Sequence, residues 1–202
     1  MDNVVCSAQY MCGVTKVKVY HGTILSHALN IADKGINLRK SKNYLDFGKG
    51  FYTTPDYEMA KNMAKRVAAY EKTKYSPDNL YPTVVTFEYE EDSQMNIKIF
   101  PREDMSWAKF ILSNRLPIEI ANKLNLPKNK SSEQYDIIIG GTADGDIAYI
   151  ASGLRYGTIL PEDYYIDLKD FLKYDGKSYG QQIVFCTEKA LSCIEYIKCD
   201  KV

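Results

Sequence analysis

The sequence predicts an α+β domain. Three observations carry this. Short strand-like runs and amphipathic helical runs are mixed along the 202 residues without the regular β-α-β alternation of a doubly wound sheet. No Gly-x-Gly-x-x-Gly follows a strand, and Asp46-Phe47-Gly48-Lys49-Gly50 follows a polar loop and leads into an aromatic, unlike a Rossmann fingerprint or a P-loop. No Gly-x-Ser-x-Gly nucleophile elbow occurs. The length suits one domain with a core of useful size, read as residues 16–202, preceded by an N-terminal extension over residues 1–15.

The elements follow in order. Lys16 to Tyr20 alternates polar and apolar residues, a strand with one buried face that His21 and Gly22 close. Ser26 to Lys34 reads as a short helix ended by Gly35. Asn37 to Phe47 is a polar loop. Pro55 opens the clearest helix: Thr54 caps it, Asp56 and Glu58 favour its first turn, and Ala60, Met63, Ala64, Val67 and Ala68 form its apolar stripe. Thr83–Tyr89 and Gln94–Phe100 read as strands joined through Glu90-Glu91-Asp92. Pro101 to Leu116 reads as a helix with Trp107, Phe110 and Ile111 on one side, and Ile118 to Leu124 adds a turn or two. Tyr135 to Ile139 is a short apolar strand ended by Gly140 and Gly141, and Ala143 to Ser152 a helix. Glu162 to Tyr174 is amphipathic. Gln182 to Cys186 is a strand, Glu188 to Cys193 a helical turn, and Ile194 to Ile197 a last strand.

Composition narrows the function classes. Lys plus Arg equal Asp plus Glu at 26 each, so no global field attracts nucleic acid or membrane, although a local basic patch would suffice for a nucleic acid. No apolar run approaches a membrane span, and Met1 to Gly13 lacks the charged start of a signal peptide. The five cysteines form no Cys-x-x-Cys pair, and with only His21 and His27 beside them no zinc spacing arises, so no metal is expected. Cys186 and Cys193 read as small core residues, and the whole as a protein of a reducing cytoplasm.

Two segments stand out: Tyr20-His21-Gly22-Thr23, and Asp46-Phe47-Gly48-Lys49-Gly50-Phe51-Tyr52-Thr53-Thr54. The second sets glycines beside aromatics, a pattern that lets another backbone or a ligand come close. From the residues alone, plain structural roles stay open. His21 suits a strand-end histidine, Tyr52 the core, and Gln182 a strand edge; Asp46 suits a loop cap, Asp144 a cap, and Arg115 either a carboxylate partner or a pyrophosphate contact.

The order of these pieces resembles a bacterial family of unknown function grouped with the ADP-ribosyltransferase superfamily. The matching stretches are Val19–Gly22, Asp46–Thr54, Trp107–Ile111 with Arg115, Tyr135–Gly140 with Ala143-Asp144, and Gln182–Phe185 with Thr187–Leu191, covering roughly residues 16–198. The resemblance implies a split β-sandwich, two small antiparallel sheets with flanking helices around an NAD cleft. It implies a His-Tyr-Glu/Gln signature on three strands: His21 bonding a ribose hydroxyl, Tyr52 stacking on nicotinamide, and Gln182 holding the ribose 2′-hydroxyl. Gly22 would grip the carboxamide through its backbone, and Thr23, Gly50 and Phe51 would line the same cleft. Met63 stands where relatives often place a second clamping aromatic. Tyr179 and Gln181, in the mobile loop over Tyr174–Gln181 before the third strand, would touch the acceptor.

Two departures matter. Gln182 replaces the usual glutamate, and an amide offers the oxocarbenium-like transition state a dipole in place of a charge, a loss of about 3–4 kcal/mol. Met63 makes a softer clamp than an aromatic. The implied activity is mono-ADP-ribosyl transfer from NAD, as substrate, to an RNA, DNA or protein acceptor, in a toxin-like or defence effector neutralised by an antitoxin-like partner. The alternatives are an NAD glycohydrolase and a non-catalytic NAD or ADP-ribose binder.

Overall fold

A computed structural model describes residues 16–72, 80–127, 134–143, 145–164, 168–169 and 180–202. The fold is α+β, with two small sheets and several helices. One sheet orders β1 (Val17–Ile24), β3 (Pro82–Tyr89) and β7 (Ile194–Lys201), all antiparallel. The other orders β2 (Phe51–Thr53), β6 (Gln181–Phe185), β5 (Ile137–Gly141) and β4 (Ile97–Ile99). Its β4–β5 pair is parallel, so this sheet is mixed where two antiparallel sheets were expected. The helices are α1 (Leu25–Lys34), α2 (Tyr57–Lys72), α3 (Met105–Arg115), α4 (Ile118–Lys123) and α5 (Asp146–Tyr156).

Alternation along the strands divides the interior in two. Val19, Phe51, Val85, Phe87, Ile137, Ile139, Ile183 and Phe185 share one core cluster, built from residues of both sheets. Ile138 and Val184 join the second cluster with Phe47, Trp107, Phe110, Ile111, Ile147 and Leu154, where α3 and α5 cover the mixed sheet, and Tyr52 packs against it. Trp107 is fully buried, and its indole N–H donates to the Gly141 carbonyl at 3.1 Å.

Several expectations shift. β1 runs on to Ile24, so His21, Gly22 and Thr23 lie inside a strand that they were expected to close. Gly140 and Gly141 likewise belong to β5. The strands on either side of Glu90-Glu91-Asp92 fall in different sheets. α2 starts two residues after Pro55. Thr54 Oγ1 accepts from the Asp56 N–H at 3.1 Å, and Asp56 in turn caps the helix by accepting from the Met59 N–H at 3.1 Å. α3 starts at Met105 because Asp104 accepts from the N–H groups of Ser106 and Trp107. Gly35 ends α1 at φ 75°, as its position predicted. Cys186 and Cys193 are buried. Residues 1–15, Asp144, Tyr179 and most of the expected 162–174 helix lie outside the described residues.

Gly22 fixes how α2 sits on the first sheet. A Cβ there would strike the Ala60 carbonyl and come within 2.8 Å of the Ala64 nitrogen, both helix backbone. Ala60, Ala64 and Ala68 give α2 the small face that makes this approach possible. Backbone cannot swing aside as a side-chain tip can. Gly22→Ala is therefore expected to cost about 1–3 kcal/mol, the range of core overpacking. Chemical denaturation of the two proteins would check this, and an unchanged midpoint would refute the packing argument.

Candidate functional site

The two sheets touch backbone to backbone at one bridge. The Tyr20 N–H donates to the Thr54 carbonyl at 2.8 Å, and the Thr54 N–H donates back to Tyr20 at 2.9 Å. β1 is otherwise an edge strand on this side. Backbone direction alternates along a strand, so Gly22 presents its N–H and C=O on the same edge as Tyr20. No described strand pairs with it there. On the other side of the bridge, β2 pairs with β6 through Tyr52↔Val184 and Thr53↔Ile183, which brings Gln182 next in register. Residues 21, 52 and 182, far apart in the chain, thus gather around one junction.

His21 is half-buried, its ring tilted by 33° against Phe51 with centroids 4.5 Å apart. Its Nδ1 lies 2.7 Å from the Tyr52 carbonyl oxygen. A carbonyl can only accept, so Nδ1 carries the proton and Nε2 of the neutral ring keeps its lone pair. Burial lowers the imidazole pKa from its ordinary 6.5, opposed by the Tyr52 carbonyl and reinforced by the charge of His27. The ring is therefore a neutral acceptor at pH 7.

Tyr52 is held by the loop before it. Its hydroxyl donates to the Gly48 carbonyl at 2.7 Å and accepts from the Phe47 N–H at 3.0 Å. Burial, followed by the negative charge of Asp46, raises the phenol pKa well above 10. Gly48 turns the loop at φ 76°. Gly50 lies flat on β6, where a Cβ would come within 2.6 Å of Val184 Cγ1, and its N–H donates to Ser41 Oγ at 2.9 Å.

Asp46 organises the site. It is buried, and its carboxylate receives four donors. Arg115 contributes Nε at 2.6 Å and a second contact through Nη2, the Ala143 N–H donates to Oδ2 at 3.1 Å, and Gln182 Nε2 donates to Oδ2 at 3.0 Å. The Asp46 carbonyl accepts from Asn114 at 3.3 Å. Arg115 also donates to the Ala143 carbonyl at 3.0 Å. Of the two roles open to Arg115 from sequence, this structure displays the carboxylate partner.

The carboxylate sets the orientation of Gln182, because an acceptor-only group must face the amide NH2. Gln182 Oε1 is then the free end of the side chain, without a hydrogen-bond donor among the described residues. A glutamate here would set a second carboxylate about 3 Å from Asp46 inside the fold. The local electrostatics thus account for an amide at this position.

The remaining candidates are more scattered. Thr23 is buried, its hydroxyl 3.4 Å from His27 Nδ1, and it faces α1. Phe51 is core. Gln181 is exposed. Met63 is 41% exposed, off the buried stripe it was expected to join. Met59 instead reaches the junction: its Sδ accepts from Thr54 Oγ1 at 3.3 Å and lies where a Cβ on Gly180 would be, 2.6 Å away. Sequence reasoning missed Met59, Asn114 and the Ala143 backbone. The spacing of α2 carried a signal for Met59, one turn before Met63. The glycine at 22 also has an explanation without a ligand, because α2 occupies the space beside it. A shallow depression of about 530 Å³ on α1, lined by Ser26, Leu29 and Asp33, includes none of these residues. No cluster of three or more His, Cys, Asp or Glu suited to a metal occurs among the described residues, and no helix there is long and apolar enough to cross a membrane.

Gln182→Glu tests the network. Burial and the like charge of Asp46 would raise the pKa of the new carboxyl in the folded state above its unfolded value of about 4.3. The folded protein would then hold a proton that the unfolded chain releases, so stability falls as pH rises through that window. The variant is expected to approach wild-type stability near pH 4 and to fall below it by about 1–3 kcal/mol at pH 8, the scale of a buried carboxyl facing a like charge. Urea unfolding at pH 4 and pH 8 would show this, and a pH-independent difference would contradict it.

No curated protein and no solved structure matches the chain. Residues 17–196 match the model of a family described as Protein of unknown function (DUF3990), and the chain belongs to that family.

Proposed function

We propose that this protein is an NAD-dependent mono-ADP-ribosyltransferase. The observation that supports the reading is that His21, Tyr52 and Gln182 each lie on their own strand within two positions of the Tyr20–Thr54 bridge, with His21 Nδ1 on the Tyr52 carbonyl. Those are the three positions that the superfamily resemblance picks out. The chemistry left free there suits the substrate. Neutral His21 Nε2 accepts a hydrogen bond from a ribose hydroxyl. The edge of β1 at Gly22, unpaired among the described residues, offers an N–H and a C=O side by side, the complement of a carboxamide. Gln182 Oε1 accepts from the 2′-hydroxyl while Asp46 holds the amide from behind.

In the proposed reaction the bond from C1′ to nicotinamide breaks, and its electron pair leaves with nicotinamide. The acceptor nucleophile bonds to C1′ and gives up its proton to solvent water. Gln182 brings a dipole to the positive charge at C1′, and the Asp46 carboxylate behind it brings a charge partly neutralised by Arg115.

A second reading, an NAD or ADP-ribose binder without turnover, is favoured by one observation: the Tyr52 hydroxyl and the Gln182 amide are both committed to partners in the fold.

The test follows nicotinamide release and label from NAD marked on its adenylate, in a cell lysate. Release with label in macromolecules is the expected result. Release with only free ADP-ribose would mean a hydrolase, and bound NAD without release would mean a binder. His21→Ala is expected to slow release by about 100-fold, the scale of one positioned polar group. Wild-type release should fall on acidification with a midpoint below the ordinary imidazole value of 6.5, because protonation removes the Nε2 lone pair. A rate that rises on acidification would sink the assigned role of His21.

A further inference from the structure

In a chain whose charges balance at 26 and 26, one segment does not. Between Lys34 and Thr54 stand Lys34, Arg39, Lys40, Lys42 and Lys49, and the single acid is Asp46. Asp46 is buried and spent on Arg115. Arg39, Lys40, Lys42 and Lys49 are exposed, and among the described residues none of them has a carboxylate at ion-pair distance. Other lysines of the surface do: Lys16 with Glu88 at 2.8 Å, Lys189 with Asp136 at 3.5 Å, and Lys198 with Asp200 at 2.8 Å.

Aromatic rings alternate with these cations. Tyr44, half-exposed and at φ 63°, lies under the Arg155 guanidinium, 4.5 Å from its ring centroid. Lys42 Nζ lies 5.5 Å from the ring centroid of Tyr70 on α2. Residues 42 and 44 thus join the loop to α2 and α5. The α5 surface continues the pattern with Tyr149 and Tyr156, 67% and 76% exposed and two turns apart on one face. Unpaired cations beside exposed ring faces are the chemistry that holds phosphates and stacks bases. The same loop carries Phe47 and Gly48, the partners of the Tyr52 hydroxyl, so the patch borders the proposed site.

We propose that the 39–49 loop and the outer face of α5 bind single-stranded nucleic acid, and that this is the acceptor class. The acceptor assignment rests on the transferase reading above; the binding itself needs no NAD. An acidic peptide would meet the same cations but leave the tyrosine faces without bases to stack on.

The experiment is fluorescence anisotropy of labelled single-stranded RNA and DNA of about a dozen nucleotides with the purified chain, without NAD. Four phosphate contacts predict a log–log salt slope of about −3, and so a loss on the order of 50-fold in affinity from about 50 to about 200 mM salt. The double variant Lys40→Glu/Lys42→Glu should reduce that slope by about half. Tyr44→Ala should weaken binding about tenfold at constant salt, the scale of one stacked base. Lys18→Glu/Lys123→Glu, which makes the same change in net charge elsewhere on the exposed surface, should bind as wild type. RNA and DNA are compared directly, and the tighter of the two names the acceptor.

The proposal is overturned by no binding at low salt, by equal loss in both charge-reversed variants, or by polyglutamate competing as well as the oligonucleotide. Nicotinamide release from NAD by the same preparation in the cell lysate, which supplies an acceptor, separates the two readings. Release without oligonucleotide binding overturns only this proposal, and binding without release overturns only the transferase.

Discussion

The Asp46 carboxylate is the constraint around which the rest of the candidate site is arranged. A buried carboxylate without partners is far too costly to keep ionised. Here the end of α3 supplies Arg115, the segment after β5 supplies the Ala143 N–H, and β6 supplies the Gln182 amide. Three parts of the chain, separated by up to 136 positions from Asp46, are therefore held to one pair of oxygens. Such a network is not itself a large source of stability, since burying both charges offsets much of their attraction. Its effect is on geometry. Removing Arg115 leaves the buried Oδ1 without a donor, and removing Gln182 leaves Oδ2 with the Ala143 N–H alone, so the register of the loop against β6 and α3 has little freedom.

The identity of residue 182 follows from this. Seen alone, an amide in place of a carboxylate suggests lost catalytic power. Seen beside Asp46, it is what the neighbouring acceptor requires, and the charge a glutamate would bring already stands behind the amide, 3.0 Å away. The arrangement divides one role between two residues. Gln182 supplies the atom that can touch a ligand, and Asp46 supplies the negative charge that orients and polarises it. Arg115 then sets how much of that charge is felt at the front of the site.

Legibility in the sequence tracked how local the cause was. α3 was readable because its apolar face is dense, although its start was read at Pro101 and the Asp104 cap that sets it was missed, and α1 because Gly35 stops it. The α+β class and the positions of most strands followed from alternation. The extension of β1 through His21-Gly22-Thr23 was missed because Gly22 reads as a terminator, whereas it is there to admit the backbone of α2. That reason exists only in three dimensions. The separation of β3 from β4 into different sheets was hidden for a similar cause: β4 pairs with β5, some 40 residues later, and nothing in the intervening turn declares it. At the site, Gln182 was legible on its strand from the residues themselves, whereas His21 and Tyr52 were set on strands only by the resemblance. The partner of each was not, since Tyr52–Gly48 is a loop closure and Gln182–Asp46 spans two-thirds of the chain. Met59 was overlooked in favour of Met63 because spacing along a helix does not say which turn meets a neighbouring strand.

The burial of one acid also shapes the outer surface. Asp46 is the only negative residue among the basic residues of its segment, and turning it inward leaves Arg39, Lys40, Lys42 and Lys49 without a carboxylate at ion-pair distance among the described residues. One fold decision thus produces both an ordered polar interior and a positive exterior on the same loop. That loop is fastened at Ser41 to Gly50, at Asp46 to α3 and β6, at Phe47 and Gly48 to the Tyr52 hydroxyl, and at Tyr44 to Arg155. A segment pinned at this many points transmits load. A ligand that settles on Lys42 and Tyr44 bears on the strut between Tyr44 and Arg155, whose Nη2 donates to the carbonyl of Arg115, the partner of Asp46. The proposed acceptor surface and the proposed NAD site therefore share a chain of direct contacts, and occupancy of one has a physical route by which to adjust the charge presented at the other.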